Sequence, residues 1–191
     1  GMLLLNGFAG TVAVLSTQLF SMISSYDYAV LPMFILMATI ITETGMGTSL
    51  YASCRTWLGH LPGGLCLATI IACAVFAAVT AFPWASIMAV GAIALPEMAR
   101  SKYNKRMALG SIAAGSELGD LIPPSSMFIT YGMMTGTSIG TLLISGIVPG
   151  LLMAALYCVV IFGWCKINPA AGPRGPKTSA KEKLMALKDV W

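Results

Sequence analysis

Two long stretches of this chain, residues 61–95 and residues 121–165, contain no Asp, Glu, Lys or Arg. A helix crosses the hydrocarbon core of a bilayer with about 20 predominantly apolar residues. The second stretch is long enough for two crossings. The first is not, once its loops are subtracted. Composition points the same way, with 9% charged and 57% hydrophobic residues, against about 25% charged in a typical soluble domain. That leaves too few polar side chains to cover a soluble surface, and the chain is too apolar for disorder. The fold class this predicts is an all-α integral membrane protein.

The pattern along the chain predicts four regions. Residues 1–58 hold an interfacial helix, a transmembrane helix and a short connecting helix. In the first of these, Leu15, Leu19, Met22 and Ile23 share one face, as in a helix lying along the membrane surface. Tyr26-Asp27-Tyr28 reads as an interfacial boundary. Residues 59–99 form two apolar arms interrupted around Thr80-Ala81-Phe82-Pro83. Each arm, read as about 15 residues, spans roughly 22 Å, too short to cross alone, so a re-entrant hairpin is expected. Residues 100–165 hold a helix broken at Pro123-Pro124, where two backbone donors are lost, and then a continuous span. Residues 166–191 read as a polar linker. Gly1-Met2-Leu3 has no basic flank, so no secretory signal peptide is expected.

Charge sets the topology. Basic residues cluster at 100–106 and again at 166–188, and both clusters are expected on the cytoplasmic side. They bear on orientation, not on nucleic-acid binding. The interval between them then crosses an even number of times, which a broken span plus a continuous span satisfies. The hairpin opens from the cytoplasm, with Arg55 and His60 at its mouth. Glu97 is expected to pair with Arg100 or Lys102, its close neighbours in sequence.

Non-helical backbone at membrane depth is tolerated only inside protein or around a cavity. The chain has two such places, around 80–86 and around 119–126. Broken helices present carbonyls to a cation and amides to an anion. Thr80, Ser86, Ser116, Ser125 and Ser126 add hydroxyl oxygens, the ligand type that hard cations such as sodium prefer. Gly119, Pro123 and Pro124 shape the second break, and Glu117 and Asp120 flank it as carboxylates costly to bury in a membrane. These ten residues are the candidate ion and substrate site. A proline kink satisfied by neighbouring helices is the plainer alternative. Glycines recur at four-residue spacing at 115 and 119, at 132, 136 and 140, and at 146 and 150, a pattern for close helix packing. The five cysteines form no C-x-x-C pair and read as small buried thiols. With one histidine and no metal or nucleophile motif, neither an enzyme nor an organic or metal cofactor is expected.

Several segments in collinear order resemble the large membrane subunit, DctM type, of tripartite ATP-independent periplasmic (TRAP) transporters. They include Leu31-Pro32-Met33-Phe34-Ile35-Leu36, Gly59-His60-Leu61-Pro62-Gly63-Gly64, Tyr103-Asn104-Lys105-Arg106, Leu121-Ile122-Pro123-Pro124-Ser125 and Gly146-Ile147-Val148-Pro149-Gly150. The resemblance implies half of an inverted-repeat elevator transporter, close to the first repeat. It also implies a sodium-coupled importer of organic anions such as dicarboxylates in the bacterial inner membrane, with sodium as coupling ion. The implied partners are the second inverted repeat, a small membrane subunit and a periplasmic binding protein, in addition to the lipid bilayer. Two departures stand out. The family's Gly-Ser-Ser-type hairpin tip is replaced by Ala81-Phe82-Pro83, and carboxylates occupy positions 117 and 120, where small or hydroxyl residues are expected. The carboxylates are expected to replace the lost ligands or to change the coupling ion. The alternative reading is a degenerate or truncated non-transporting scaffold that binds partner subunits.

Overall fold

The computed structural model describes residues 2–24 and 30–175, together with 183 and 186. Tyr26-Asp27-Tyr28 and most of 176–191 lie outside the described residues. The chain divides into two compact units, Gly1–Leu36 and Met37–Trp191. The first contains α1 (Met2–Ser24), which is kinked at Gly7, where φ is 64°. Leu15 is exposed, whereas the side chains of Leu19, Met22 and Ile23 lie outside the described set. Helix α2 (Val30–Glu43) follows.

In the second unit come α3 (Met46–Leu58), α4 (Gly64–Thr80), α5 (Pro83–Arg100), α6 (Lys105–Glu117), a 3-10 turn (Leu118–Asp120), α7 (Ser126–Thr135) and α8 (Ile139–Ile167). No strand occurs among the described residues. Helix α4 is the hub and packs on α3, α5, α6, α8 and the 3-10 turn. Its inner positions are small: Cys66, Ala68, Ala72, Cys73 and Ala77 are fully buried. Small side chains let helix backbones approach without a hydrophobic driving force. A Cβ on Gly115 of α6 would stand 3.1 Å from Cys73 Cβ, so this glycine sets the α4–α6 approach. Buried hydroxyls do not disturb the packing because they bond to their own helices: Thr69 donates to the Leu65 carbonyl at 2.9 Å and Ser111 to the Ala108 carbonyl at 2.9 Å.

Helix α8, with 29 residues, is about 43 Å long and is long and apolar enough to cross a membrane. Ile144, Val148 and Val159 on it are each about 70% exposed, a surface suited to lipid. Pro149 lies inside it, between Gly146 and Gly150. There the helix passes the break between the 3-10 turn and α7. A Cβ on Gly150 would come within 2.9 Å of Ile122 Cγ1, and one on Gly146 within 2.6 Å of the Leu121 carbonyl oxygen.

Candidate functional site

The hairpin arms α4 and α5 are joined by only Ala81 and Phe82. The sequence suggested an interruption from 80 to 86, but Thr80 ends α4 and Ser86 lies within α5. Proline at the first helical position needs no N–H bond, so Pro83 starts α5 where the sequence seemed only to break. Ala81 takes the left-handed conformation, φ 61°, with its N–H bonded to the Ala77 carbonyl at 3.0 Å. That conformation favours glycine, and here it falls on an alanine.

The break on the other side is built from three devices. Helix α6 tightens into the 3-10 turn, with Leu121 and Ile122 amides both donating to the Leu118 carbonyl, at 3.2 and 2.8 Å. Pro123 and Pro124, joined by a cis peptide, follow with carbonyls but no N–H. Ser125 then caps α7. Its hydroxyl accepts from the Phe128 amide at 3.2 Å and donates to the Asp120 carbonyl at 2.6 Å. One serine thus closes the break into a loop and starts the next helix.

These two discontinuities meet. A Cβ on Gly119 would lie 3.3 Å from Ala77 Cβ, 3.3 Å from Pro83 N and 3.6 Å from the Phe82 carbonyl carbon. The 3-10 turn therefore sits directly on the hairpin tip. Among the expected hydroxyls, those of Thr80 and Ser116 bond back to the Phe76 and Ile112 carbonyls, at 3.0 and 2.8 Å. Cys73 Sγ is 3.9 Å from Ser116 Oγ. Ser86 Oγ is buried with no hydrogen-bond partner among the described residues. Ser126 opens α7 and is half-buried, as is Asp120, whereas Glu117 is exposed at the end of α6. The arrangement beside the buried Gly119 contact is acceptor-rich, with the proline pair following in the chain and the Asp120 carboxylate next to it.

Against this geometry, comparison with known proteins is decisive. The family model described as "Tripartite ATP-independent periplasmic transporter, DctM component" matches residues 2–191. The chain belongs to the DctM family. The C4-dicarboxylate TRAP transporter large permease protein DctM of Pseudomonas aeruginosa is 35% identical over 95% of this chain and 42% of its own length. The ectoine TRAP transporter large permease protein TeaC of Halomonas elongata is 35% identical over 98% of this chain and 44% of its own length. The sialic acid TRAP transporter large permease protein SiaM of Vibrio cholerae is 28% identical, over 91% and 40%. The chain thus spans less than half the length of the curated relatives it matches. Those relatives are named as permeases, not enzymes.

Two features of this DctM-family chain escape sequence reasoning. Glu97 pairs with Arg55 at 3.0 Å, not with Arg100 or Lys102, because α3 packs across α5 and brings a long-range partner closer than the local ones. The pair lines a cavity of about 520 Å³ at the mouth of the hairpin, with Tyr103 and Arg174. It is half-exposed and stabilises by less than about 1 kcal/mol. Second, the start of the polar linker is packed. The Ala171, Gly172 and Pro173 carbonyls accept from the Asn104 amide, the Gly63 amide and the Tyr103 hydroxyl, at 3.1, 3.0 and 2.7 Å. The Gly175 amide donates to the Gly59 carbonyl at 2.9 Å. The Tyr103 oxygen also accepts from the Leu65 amide at 3.3 Å. Burial pushes the Tyr103 phenol up to about 12, so it stays a donor at physiological pH.

Tyr103→Phe removes both bonds and leaves the Leu65 amide unpaired. The expected cost is about 1–3 kcal/mol, seen as a lower thermal midpoint in detergent. Cleavage by trypsin after Arg174 should quicken as the segment loosens. Unchanged melting and unchanged cleavage would show that the strap is held by its backbone bonds alone.

Proposed function

We propose that this chain is the first inverted repeat of a TRAP large permease in the bacterial inner membrane. In this reading α4 and α5 form a re-entrant hairpin, and α6, the break and α7 form the broken transmembrane span. Both basic clusters are cytoplasmic. The intact protein imports organic acids by secondary transport with sodium as coupling ion, together with the second repeat, a small membrane subunit and a periplasmic binding protein. C4-dicarboxylates lead the substrates, since three of the matching relatives are named for them. One observation carries the reading: the hairpin tip and the helix break meet at Gly119. Unwound carbonyls and a helix start in one place give a cation and a carboxylate complementary partners. The apolar tip supplies few free oxygens, so Asp120 and Glu117 take the place of its missing serines in holding the cation.

The test exchanges charge without changing shape. Glu117→Gln with Asp120→Asn, in the intact protein reconstituted with its partners, should cut uptake of a labelled C4-dicarboxylate about tenfold or more. The sodium concentration for half-maximal uptake should rise. Uptake and sodium dependence equal to the unmodified protein would exclude the carboxylates from the ion site.

A further inference from the structure

One surface feature lies apart from the proposed ion site and rests only on the membrane placement proposed above. Between α6 and α8 runs a groove with two contrasting halves. The inner half, about 220 Å³, is lined by Gly110, Ala114, Tyr157, Val160 and Ile161 among others. Its one serine, Ser111, has spent its hydroxyl on the Ala108 carbonyl, so the lining side chains are apolar apart from the Tyr157 hydroxyl. Gly110 forms an open floor, since a Cβ there would meet nothing within 4 Å. The outer half, about 410 Å³, is lined by Asn104, Arg106, Trp164 and Asn168. Met107 and Val160 line both halves, so the two halves adjoin. Trp164 lies one helical turn beyond Val160 and is 60% exposed.

The polar end is rich in donors and lacks acid. Arg106 is exposed and meets no carboxylate among the described residues. Its charged neighbours in sequence, Lys102 and Lys105, are basic, as is Lys166 beside Trp164. A protein helix laid along this groove would bury an unpaired guanidinium, an indole N–H and two amides, at a cost unless each found a partner. A phospholipid meets both halves: a phosphate suits the planar donor fork of arginine, tryptophan favours the headgroup level, and an acyl chain fills an apolar hollow open to the side. Basic pockets between membrane helices bind lipid headgroups in this way.

We propose that the α6–α8 groove holds one anionic phospholipid, its phosphate at Arg106 and Trp164 and one acyl chain along Gly110, Ala114 and Tyr157. The test is native mass spectrometry of the intact protein, delipidated and then offered phosphatidylglycerol or phosphatidylethanolamine. The unmodified protein should retain one phosphatidylglycerol in preference to phosphatidylethanolamine. Gly110→Leu places a side chain in open space, so the fold tolerates it. By displacing only two or three methylenes it should lower retention about tenfold or more. Arg106→Gln should keep a bound lipid but erase the preference for phosphatidylglycerol, and because it is a surface change it remains informative should Gly110→Leu fail to fold. Retention unchanged in both variants overturns the proposal. So does displacement of the lipid by soluble glycerol phosphate, which would mark a free-phosphate site. Release of a protein partner instead of lipid by Gly110→Leu would assign the groove to that partner and overturn it as well.

Discussion

Replacing Gly119 with leucine is expected to abolish substrate uptake by the intact transporter while leaving most of the helices in place. A Cβ at this position already stands 3.3 Å from Ala77 Cβ and from Pro83 N, closer than most such contacts. Leucine adds three more carbons where two of the three nearest neighbours are backbone atoms. Pro83 opens α5 and Ala81 is held to the Ala77 carbonyl, so the tip cannot turn aside within the hairpin. It has to separate from the break. Overpacking of this kind costs about 1–3 kcal/mol, which the rest of the helical core can bear. The two halves of the proposed ion site would no longer meet, and uptake in proteoliposomes should fall by more than tenfold. Gly119→Ala should be milder, because a methyl group at 3.3 Å needs shifts of only tenths of an ångström. Normal uptake by the leucine variant would mean that the contact plays no part in transport.

The second large effect concerns stability. Gly146→Leu is expected to prevent accumulation of folded protein. Its Cβ would overlap the Phe128 ring and lie 2.6 Å from the Leu121 carbonyl oxygen. The ring could move, but the carbonyl belongs to a segment fixed by the Ile122 amide bond to Leu118 and by the Ser125 cap. The cost should reach about 3 kcal/mol or more. The readout is the monodisperse fraction in detergent and its thermal midpoint. Gly140→Leu is the control, since a Cβ there meets only Ser138 Oγ, at 4.0 Å. It should behave like the unmodified protein. Equal behaviour of the two variants would show that α8 does not support the break through Gly146.

That contrast marks the limit of sequence reading. Gly140 and Gly146 each belong to a run of four-spaced glycines, and nothing in that spacing tells which of them is packed. Gly115, Gly119, Gly146 and Gly150 are close-contact positions, whereas Gly136 supplies a positive φ in open space and Gly140 meets almost nothing. The helix break was legible because its cause is covalent: two prolines lack N–H groups wherever they fold. The order of helices was legible because hydropathy and turn residues act locally. The partner of Glu97 was not, because Arg55 lies 42 positions away in the chain and only the crossing of α3 over α5 unites them. The strap from 171 to 175 was hidden for a similar reason. Its bonds are made by backbone groups, which every residue carries.

The candidate site divides along the same line. Ser125 and the proline pair announce a break and a cap from sequence. That Thr80 and Ser116 spend their hydroxyls on their own helices, while Ser86 is left buried with no partner among the described residues, depends on rotamers and neighbours. By itself the sequence determined a helical membrane chain of the DctM pattern, its break at the proline pair and its clustered charge, because apolar run length and missing amide protons are properties of the chain. Only the tertiary structure decided that hairpin tip and helix break meet at Gly119, which glycines carry that packing, and where a groove stays open. Those outcomes depend on the space between helices, and that space is fixed jointly by residues far apart in the chain.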